Sequence, residues 1–338
     1  MSKMDLSIIL VNYKSPQLVL DCVESIYAET KRYSFEIIVV DNFSEDNSRE
    51  LVLEKYPTIT WIPMTYNAGF ARANNEGIRA AKGDYILILN TDTIIRDEAL
   101  DKALELFKAE TNAAAAGVQL LNPDGSHQIS GAHFIVGGLN FLLPLPYLGR
   151  FIRYWGYRLK TKVPSVSTVR ERMEVDWIVG AFILTSRELA QKEMMDEDFF
   201  MYAEEIEWCS RLKKHGALFL YNTPQVVHLG GATSGSYYDT DENENSRNLW
   251  NRKGRQIMIS MMLRIRKQYG VGWFLLMLLI FIIEIPVFGI GLLLEKIFRA
   301  GRSRYSWSAF GNYCINVFYL VRYTPRIIIN KRFFYKVP

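Results

Sequence analysis

The sequence predicts an α/β protein in which a mostly parallel sheet carries helices on both faces and is followed by a C-terminal helical region. Three observations support this fold class. Over the first 120 residues, short runs rich in Ile and Val alternate with segments whose apolar residues recur at helical spacing. The net charge is −10 over residues 1–246 but +14 over residues 247–338, which hold 16 of the 40 Lys and Arg and 2 of the 36 Asp and Glu. This basic segment also contains 24 successive residues, 271–294, with one charged side chain.

The predicted strands and helices follow one another in a regular order. Residues 6–11 and 35–40 are apolar runs that end in polar residues, which is typical of parallel strands covered on both faces. Residues 16–28 have apolar side chains at helical spacing and complete a strand–helix–strand unit. The alternation continues with a helix at 45–55, a strand at 58–62, a helix at 70–81, a strand at 85–89 and a helix at 97–110.

The pattern loosens from about residue 122 to residue 172, where Gly, Pro, aromatic and basic residues predict an insertion over one edge of the sheet. Order returns at 175–184, and an acidic helix at 203–215 and strands at 218–221 and 226–229 follow. A polar loop rich in Gly and Ser covers 230–245. It is either a loop that closes over a substrate or a surface connection.

The basic C-terminal region predicts contact with an anionic surface. Residues 271–294 are long enough to span a bilayer, but Glu284 and Pro286 lie near their middle and basic residues flank both ends. A lone charge is costly inside a bilayer, and positive flanks favour the cytoplasmic side at both ends, so a segment lying in the membrane is favoured over one crossing it. A buried helical hairpin at an oligomer interface is the alternative. Apolar residues dominate this region and no nucleic-acid-binding motif occurs in it, so we expect no nucleic acid partner.

The N-terminus leads from Met1 to Asp5 directly into the first strand, without an apolar run of signal-peptide length. We therefore expect the body of the protein in the cytoplasm. The sheet is expected to bind its ligand at the carboxyl ends of its strands. Asn12 follows the first strand without a Gly-x-Gly-x-x-Gly motif, which makes a dinucleotide oxidoreductase unlikely as a class. Asp41 ends the second strand, where its carboxylate either accepts hydrogen bonds from a base or ribose or caps a helix.

Two further motifs follow the third and fourth strands. In the segment Asn67-Ala68-Gly69, Gly69 allows a tight turn and a helix begins at once. A helix N-terminus with Arg72 beside it is a candidate seat for a pyrophosphate. After the fourth strand, Asn90 and Asp92 lie on the same side of an extended chain, and their oxygens suit a hard divalent cation.

These motifs, in this order, resemble the family 2 glycosyltransferases of GT-A (Rossmann-like) fold, particularly the bacterial rhamnosyltransferase-like branch. The resemblance covers about residues 5–230. It implies that Asp41 contacts the nucleotide and that Asn90-Thr91-Asp92 stands where the family carries its Asp-x-Asp metal motif. Because Asn90 replaces the first Asp, Asp92 is the expected metal ligand. The other residues implied to bind the donor nucleotide-sugar are Asn12, Asn67, Gly69, Arg72, Asn75, Asn90 and Thr91.

The resemblance continues on the acceptor side. The strand with Trp177, Gly180 and Ala181 resembles the one against which the acceptor sugar lies in the family, although an ordinary strand bulge would explain the glycine equally well. The segment Phe199–Trp208 resembles the one that carries the family's Glu-Asp pair, which places the general base on Glu205 and leaves Glu204 and Glu207 as alternatives. His228 ends an apolar strand, and the resemblance implies that it completes the metal site or contacts the donor phosphates.

The resemblance implies a catalytic domain over 1–245, with a nucleotide-sugar half at 1–121 and an acceptor half at 122–245, and a membrane-associating region at 246–338. The implied reaction is an inverting, metal-dependent transfer with Mg²⁺ or Mn²⁺. The donor is dTDP-rhamnose or a UDP-hexose, and the acceptor is a saccharide linked to polyprenyl pyrophosphate. We expect this reaction in O-antigen or capsule synthesis, at the cytoplasmic face of the bacterial plasma membrane, next to anionic lipid and with a possible homo-oligomer.

Two other functions remain open from the sequence. The first is a catalytically degenerate, membrane-associated nucleotide-sugar binding protein, which the Asn90 and Glu-for-Asp replacements favour. The second is a nucleotidyltransferase, which is disfavoured because residues 12–15 contain no glycine for a triphosphate loop.

Overall fold

The computed structural model describes residues 4–134, 136–159, 163–230, 248–299 and 301–337. The chain divides into two compact units. The sheet unit contains the chain up to His133, Ser165–Phe200 and the chain from Glu204 through the last strand. The helical unit contains Phe134–Pro164, Met201–Ala203 and the described residues from Asn248 onward. The expected loop at 230–245 lies outside the described residues except for Gly230.

The first half of the main sheet is parallel, as the alternating pattern predicts. Its strands stand in the order β3-β2-β1-β4, and every neighbouring pair among them is parallel. Most apolar residues of β1, β2 and β4 are buried because helices cover the sheet, whereas those of the edge strand β3 are partly exposed. The elements are β1 (Leu6–Asn12), α1 (Pro16–Glu29), β2 (Phe35–Asp41), α2 (Ser48–Lys55), β3 (Thr60–Pro63), α3 (Gly69–Ala80) and β4 (Tyr85–Leu89).

The second half of the main sheet is mixed, so the expectation of a mostly parallel sheet holds for the first half only. The order continues from β4 through β11 and β6 to β12 and β5, and β9 pairs with β12. Strand β11 is antiparallel to both of its neighbours, whereas β6 and β12 are parallel. The additional elements are β5 (Thr93–Ile95), α4 (Ala99–Ala109), β6 (Ala113–Leu121), β9 (Arg172–Val175), β11 (Phe182–Ser186), α6 (Arg187–Lys192), α7 (Glu204–Leu212) and β12 (Ala217–His228).

Two predicted features of this half are corrected by the structure. The strands expected at 218–221 and 226–229 form the single strand β12, whose pairing with β6 shifts register between Tyr221 and Gln225. Such an irregularity bends a strand without ending it. A small separate sheet, in the order β10-β7-β8, lies in the region where an insertion was expected. Its strands are β7 (Gly131–Ala132), β8 (Ser165–Val166) and β10 (Trp177–Ile178).

The helical unit is built around one long apolar helix. This unit contains a 3₁₀ helix at Val136–Leu142, α5 (Leu148–Arg158), α8 (Arg252–Phe298) and α9 (Trp307–Ile328). Gly270 interrupts α8 with φ of 86°, a left-handed value that glycine tolerates best. Among the described residues, α8 is the helix whose length and mean hydropathy would allow it to cross a membrane.

Residues 134–164, which lie within the expected insertion, belong to this helical unit. Glu284 explains the assignment. It is fully buried in the middle of α8, and its two carboxylate oxygens accept the backbone N–H of Tyr147 at 2.6 Å and of Leu148 at 3.1 Å. The carboxylate therefore satisfies amides that the start of α5 leaves without intrahelical partners. The lone charge in the apolar run is a helix cap.

Candidate active site

Asp41, at the carboxyl end of β2, lies in a network of hydrogen bonds with residues at or just after the ends of β1 and β2. Asn12 Nδ2 donates to Asp41 Oδ1 at 2.8 Å, and Ser44 Oγ donates to the same oxygen at 2.5 Å. The backbone N–H of Ser44 reaches Asp41 Oδ2 at 3.2 Å. Asn12 is fully buried, whereas Asp41 is partly exposed. Asp41 is thus the residue placed to contact a ligand, and Asn12 together with Ser44, which sequence reasoning missed, orients it.

The start of α3 is held by an amide network and by the main chain of Phe200. Asn67 Oδ1 accepts from Asn42 Nδ2 at 3.0 Å and from the Gly69 N–H at 3.2 Å. Gly69 has φ of 76°, and a Cβ there would lie 2.0 Å from the Phe200 carbonyl oxygen, so glycine is required. The same oxygen accepts the N–H of Phe70 at 2.9 Å. The first amides of α3, which the sequence predicts to bind a pyrophosphate, therefore donate to oxygens of Asn67 and Phe200.

Arg72 and Asn75 connect α3 to the segment that precedes α7. Arg72 Nε donates to the Glu197 carbonyl at 3.0 Å, and fully buried Asn75 donates to the Met195 carbonyl at 2.9 Å and to Glu197 Oε1 at 3.0 Å. Burial raises the pKa of the Glu197 carboxyl, but hydrogen bonds from Asn75 and Arg79 outweigh it and hold the pKa below its ordinary value. The structure gives these two predicted donor-binding residues contacts within the protein that hold residues 195–197 against α3.

A polar cluster lies where β4 and β12 end. His228 Nε2 is 3.3 Å from Asp92 Oδ1 and 3.5 Å from Asn90 Nδ2. The Asp92 carbonyl also accepts the N–H of Leu229 at 2.8 Å, which ties the two chain segments together. Asp92 and Thr91 are each 3% exposed, so the cluster is shielded from bulk water. The fold thus brings His228 to Asn90 and Asp92, which lie 138 and 136 residues earlier in the chain.

Gln128 determines how the imidazole of His228 is oriented. Its Nε2 donates to the His228 carbonyl at 2.6 Å and to Asn122 Oδ1 at 2.7 Å, and its Oε1 is 2.9 Å from His228 Nδ1. A backbone carbonyl only accepts, so the amide nitrogen must face it and Oε1 must face Nδ1. Nδ1 therefore carries a proton, and in the neutral ring Nε2 presents its lone pair to Asp92. Sequence reasoning missed Gln128 because nothing in its local pattern indicates a contact 100 residues away.

The chemistry of this cluster fits a divalent cation with few protein ligands. A carboxylate oxygen and an imidazole nitrogen 3.3 Å apart can share a positive charge, either a proton on Nε2 or a cation bound by both atoms. Within the described ranges, no group of three or more His, Cys, Asp or Glu side chains is gathered for a metal. Mg²⁺ is commonly bound by one or two carboxylates together with substrate phosphates and water, so two protein ligands suffice. Asp92 and His228 are the residues that would hold such an ion.

Glu205 lies against the strand predicted to face the acceptor. A Cβ on Gly180 would lie 3.6 Å from both Cβ and Cγ of Glu205, and the Ala181 carbonyl accepts the N–H of Asn90 at 3.1 Å. Glu205 thus lies beside residue 180, and Asn90, which neighbours Asp92 and His228, is hydrogen-bonded to residue 181. Trp177 precedes this stretch, and its Nε1 has no hydrogen-bond partner among the described residues. The main chain at Gly180 thus passes beside Glu205, and a side chain there would contact both the glutamate and Phe70.

The neighbouring glutamates of α7 differ from Glu205. Glu207 is buried, and Arg211 donates to both of its carboxylate oxygens, at 2.8 and 2.9 Å. Burial lowers the pKa of Arg211, but hydrogen bonds to Glu207 and Glu193 outweigh it and raise the pKa. Glu204 is 3% exposed, whereas Glu205 is partly exposed. Of the three candidates for the general base, Glu207 is held in an ion pair with Arg211, whereas Glu205 is partly exposed and lies beside Gly180.

The residues just before α7 adopt an unusual backbone conformation. Tyr202 and Ala203 both have φ of 69°. Left-handed conformations cost non-glycine residues about 1–2 kcal/mol each and persist where the surroundings require them, often at functional sites. The backbone therefore enters the helix that carries Glu205 through a strained turn that sequence alone does not reveal.

An α/β sheet with polar side chains at the ends of β2, β4 and β12 agrees with the GT-A fold that the sequence predicts. Comparison with known proteins identifies the family. Residues 7–173 match the family model described as Glycosyl transferase family 2. This match, together with rhamnosyltransferases among the relatives, supports a family 2 glycosyltransferase that is rhamnosyltransferase-like.

Two curated relatives each match about two thirds of this chain. The chain is 27% identical over 247 residues to N-acetylglucosaminyl-diphospho-decaprenol L-rhamnosyltransferase of Mycobacterium tuberculosis (strain ATCC 25618 / H37Rv), a match that covers 68% of this chain and 78% of the relative. It is 27% identical over 224 residues to Rhamnosyltransferase WbbL of Escherichia coli (strain K12), covering 63% of this chain and 79% of the relative. Among solved structures, GalNAc-T7 with UDP, GalNAc and Mn²⁺ shares the fold with a TM-score of 0.51 at 15% identity, over 79% of this chain and 51% of that one.

Proposed function

We propose that this enzyme transfers rhamnose from dTDP-rhamnose, or a hexose from a UDP-hexose, to a saccharide linked to polyprenyl pyrophosphate. Two neighbouring groups of side chains carry the proposal. Asp92 lies opposite His228, and Glu205 lies beside Gly180. The backbone hydrogen bond between residues 90 and 181 connects the two groups. The names of the two curated relatives support a rhamnosyl donor, and that of the mycobacterial relative supports a lipid-linked acceptor. The product would enter cell-surface polysaccharide such as O-antigen or capsule.

The donor would bind at the carboxyl ends of the first four strands. Asp41, oriented by Asn12 and Ser44, accepts hydrogen bonds from the nucleoside. Asp92 and His228 would hold a divalent cation, Mg²⁺ or Mn²⁺, which when bound neutralises charge on the pyrophosphate and so favours its departure. Because Gln128 accepts the Nδ1 proton of His228, Nε2 is the ring nitrogen that would act as a ligand.

Glu205 would act as the general base. Its carboxylate accepts the proton of the acceptor hydroxyl while the hydroxyl oxygen bonds to the anomeric carbon from the face opposite the nucleotide. The bond between the anomeric carbon and the phosphate oxygen breaks in the same step, and the nucleoside diphosphate leaves with its electron pair. A single displacement inverts the anomeric carbon, and no covalent enzyme intermediate is required. Glu204 and Trp177 are acceptor-side residues in this proposal.

The helical unit would keep the enzyme where its acceptor is anchored. The positive net charge after residue 247 and the apolar helix α8 suit the anionic cytoplasmic face of a bacterial plasma membrane. A polyprenyl-linked acceptor then arrives in the plane of the membrane. Self-association of the chain is compatible with this arrangement.

The test is release of nucleoside diphosphate from dTDP-, UDP- and GDP-sugars with bacterial membrane extract as acceptor. The variants are Asp92→Ala and Glu205→Gln, and the control is Glu105→Gln, whose exposed carboxylate pairs with Arg32 on the surface. We expect turnover of one donor by the wild type and the control, and its loss in both site variants. Donor binding without turnover by the wild type would instead support a catalytically degenerate binding protein, a function that Asn90 in place of an acidic residue favours.

A further inference from the structure

Helix α5 presents a band of aromatic and apolar side chains to solvent. Phe151 is 62% exposed, Tyr154 52%, Trp155 45% and, directly after the helix, Leu159 71%. Positions 151, 154, 155 and 159 recur at the spacing of one helix face, which in a soluble protein normally faces the core. Here the band faces outward over its whole length.

This exposure belongs to a firmly held helix. Its first amides donate to the two oxygens of Glu284, as described above. At Gly149 a Cβ would lie 2.4 Å from the Leu143 carbonyl oxygen, and at Gly291 of α8 a Cβ would lie 2.7 Å from the ring of Tyr147. The start of α5 is therefore packed against α8 without space for one additional methyl group. A helix held so closely presents its outer face permanently.

The charges on α5 indicate what covers this face. The helix carries Arg150, Arg153 and Arg158 and no acidic residue. The Arg158 guanidinium lies over the Tyr154 ring, with Cζ 5.0 Å from the ring centroid. Aromatic side chains interleaved with arginines suit the headgroup layer of an anionic bilayer, where the rings enter the acyl boundary and the guanidiniums meet phosphates. A protein partner for the apolar band would have to bury these arginines or match them with carboxylates, which α5 does not offer to a second copy of itself.

The attachment point of α5 also restricts how α8 meets the membrane. Glu284 lies 13 residues beyond Val271, which is roughly 20 Å along a helix that rises about 1.5 Å per residue. If α8 crossed a bilayer with a core about 30 Å thick, Glu284 and the start of α5 would lie near its middle. The arginines of α5 would then lie deep in hydrocarbon, at considerable cost. The outward residues of α8 on both sides of Glu284 are nevertheless apolar, including Leu275, Leu279, Ile283, Ile290 and Leu294.

We propose that α5 is a membrane-interface helix and that α8 lies in the plane of the same leaflet, so that the helical unit binds one face of an anionic bilayer without crossing it. The proposal deepens the membrane association in the proposed function and is independent of catalysis. It assigns to the bilayer a segment, residues 148–159, whose sequence position lies within the expected acceptor half.

The test uses single-cysteine variants of the full chain in a Cys314→Ser background. Cys22 and Cys209 stay in place because burial raises the pKa of each thiol to about 12 and leaves it unreactive. Trp155→Cys and Phe151→Cys report on α5 and carry an environment-sensitive fluorophore. Leu106→Cys, on the exposed face of α4, is the control. Gln268→Cys and Ser303→Cys report on the two sides of the apolar run 271–294 of α8.

The proteins are mixed with sealed phosphatidylglycerol vesicles or phosphatidylcholine vesicles. We expect a blue shift of the labels at 151 and 155 with the anionic vesicles and none at 106. A membrane-impermeant maleimide added outside should label positions 268 and 303 equally without detergent. The double variant Phe151→Ser/Trp155→Ser should lower partition onto anionic vesicles by about tenfold.

Three outcomes would overturn the proposal. Protection of position 268 or 303 until detergent is added would mean that α8 crosses the bilayer. An unshifted label at 155 on protein that floats with the vesicles would separate α5 from the membrane. A shift at 155 that rises with protein concentration in the absence of vesicles would identify a second copy of the chain as the occupant. The transferase activity is measured separately by nucleotide release, so its failure would leave these results interpretable.

Discussion

The two units of this enzyme distribute polar and apolar side chains in opposite ways. Among the described residues, 19 of 25 buried polar or charged side chains belong to the sheet unit, whereas 20 of 25 exposed large apolar side chains belong to the helical unit. Buried polar groups need partners, and the sheet unit supplies them at the ends of its strands, where the site lies. Exposed apolar groups need an apolar environment, which water does not provide. The contrast separates a unit organised for chemistry from one organised for a surface.

The sharpest test of the sheet unit compares two glutamates of one helix. Glu205→Gln removes the proposed base but keeps the size and shape of the side chain, so we expect kcat to fall about 10³-fold with a smaller loss of stability than in Glu207→Gln. Glu207→Gln leaves Arg211 without its buried charge partner, so we expect a loss of about 2 kcal/mol in the free energy of unfolding. Nucleotide release and chemical denaturation measure the two effects.

The comparison would fail if the two variants behaved alike. A large loss of activity in Glu207→Gln with unchanged stability would move the base to Glu207. Full activity in Glu205→Gln would leave Glu204 as the remaining glutamate of the three.

Glu284 tests whether the helical unit depends on a buried carboxylate. Glu284→Leu removes the acceptor of two backbone amides and should lower the stability of this unit by about 2 kcal/mol. Hydrogen exchange should quicken at Tyr147 and Leu148 while the strands of the sheet unit keep their protection. Glu284→Gln, which retains one carbonyl oxygen, is the matched control and should have a smaller effect. Unchanged exchange at both amides in the leucine variant would remove the capping role.

Gln128 tests a polar contact that is expected to affect metal binding and not the stability of the fold. Gln128→Leu abolishes the hydrogen bond that fixes His228, and we expect the Mn²⁺ concentration for half-maximal binding to rise about tenfold. Calorimetric titration with Mn²⁺ and the donor's nucleoside diphosphate measures this independently of turnover. Gln225→Leu, at an exposed position of the same strand as His228, should leave affinity unchanged. Equal affinity in the two variants would mean that Gln128 does not position the ligand.

Sequence reasoning predicted the parallel half of the sheet and the carboxylates at its strand ends. Buried parallel strands such as β1 are continuous Ile and Val runs, and residues directly after them, such as Asp41 and Asp92, can be located by counting. The central strand β6 was missed because four successive alanines from Ala113 resemble no strand pattern. Small residues are needed there, since a Cβ on Gly117 would lie 2.5 Å from Ile178.

The remaining misses depend on contacts between residues far apart in the chain. In the sequence, Glu284 is a lone charge in an apolar run. Its partners in the fold are backbone amides 136 and 137 residues earlier. Gln128 likewise acts on His228, which lies 100 residues later in the chain. Ser44 Oγ accepts a hydrogen bond from Asn12, which lies 32 residues earlier. Local periodicity carries no information about such pairs, so a sequence can indicate which residues perform chemistry more readily than which residues hold them in place.

The strained turn before α7 gives the smallest expected effect. Ala203→Gly relieves a left-handed conformation and should increase the free energy of unfolding by about 1 kcal/mol, because glycine adopts φ of 69° without a steric penalty. The same substitution at Ala190, buried within α6, should instead destabilise by about 1 kcal/mol. Urea denaturation of both variants measures the two signs. If relief of strain also lowers kcat, the turn helps to position Glu205. A destabilised Ala203→Gly would mean that the lost methyl contacts of this buried residue outweigh the strain.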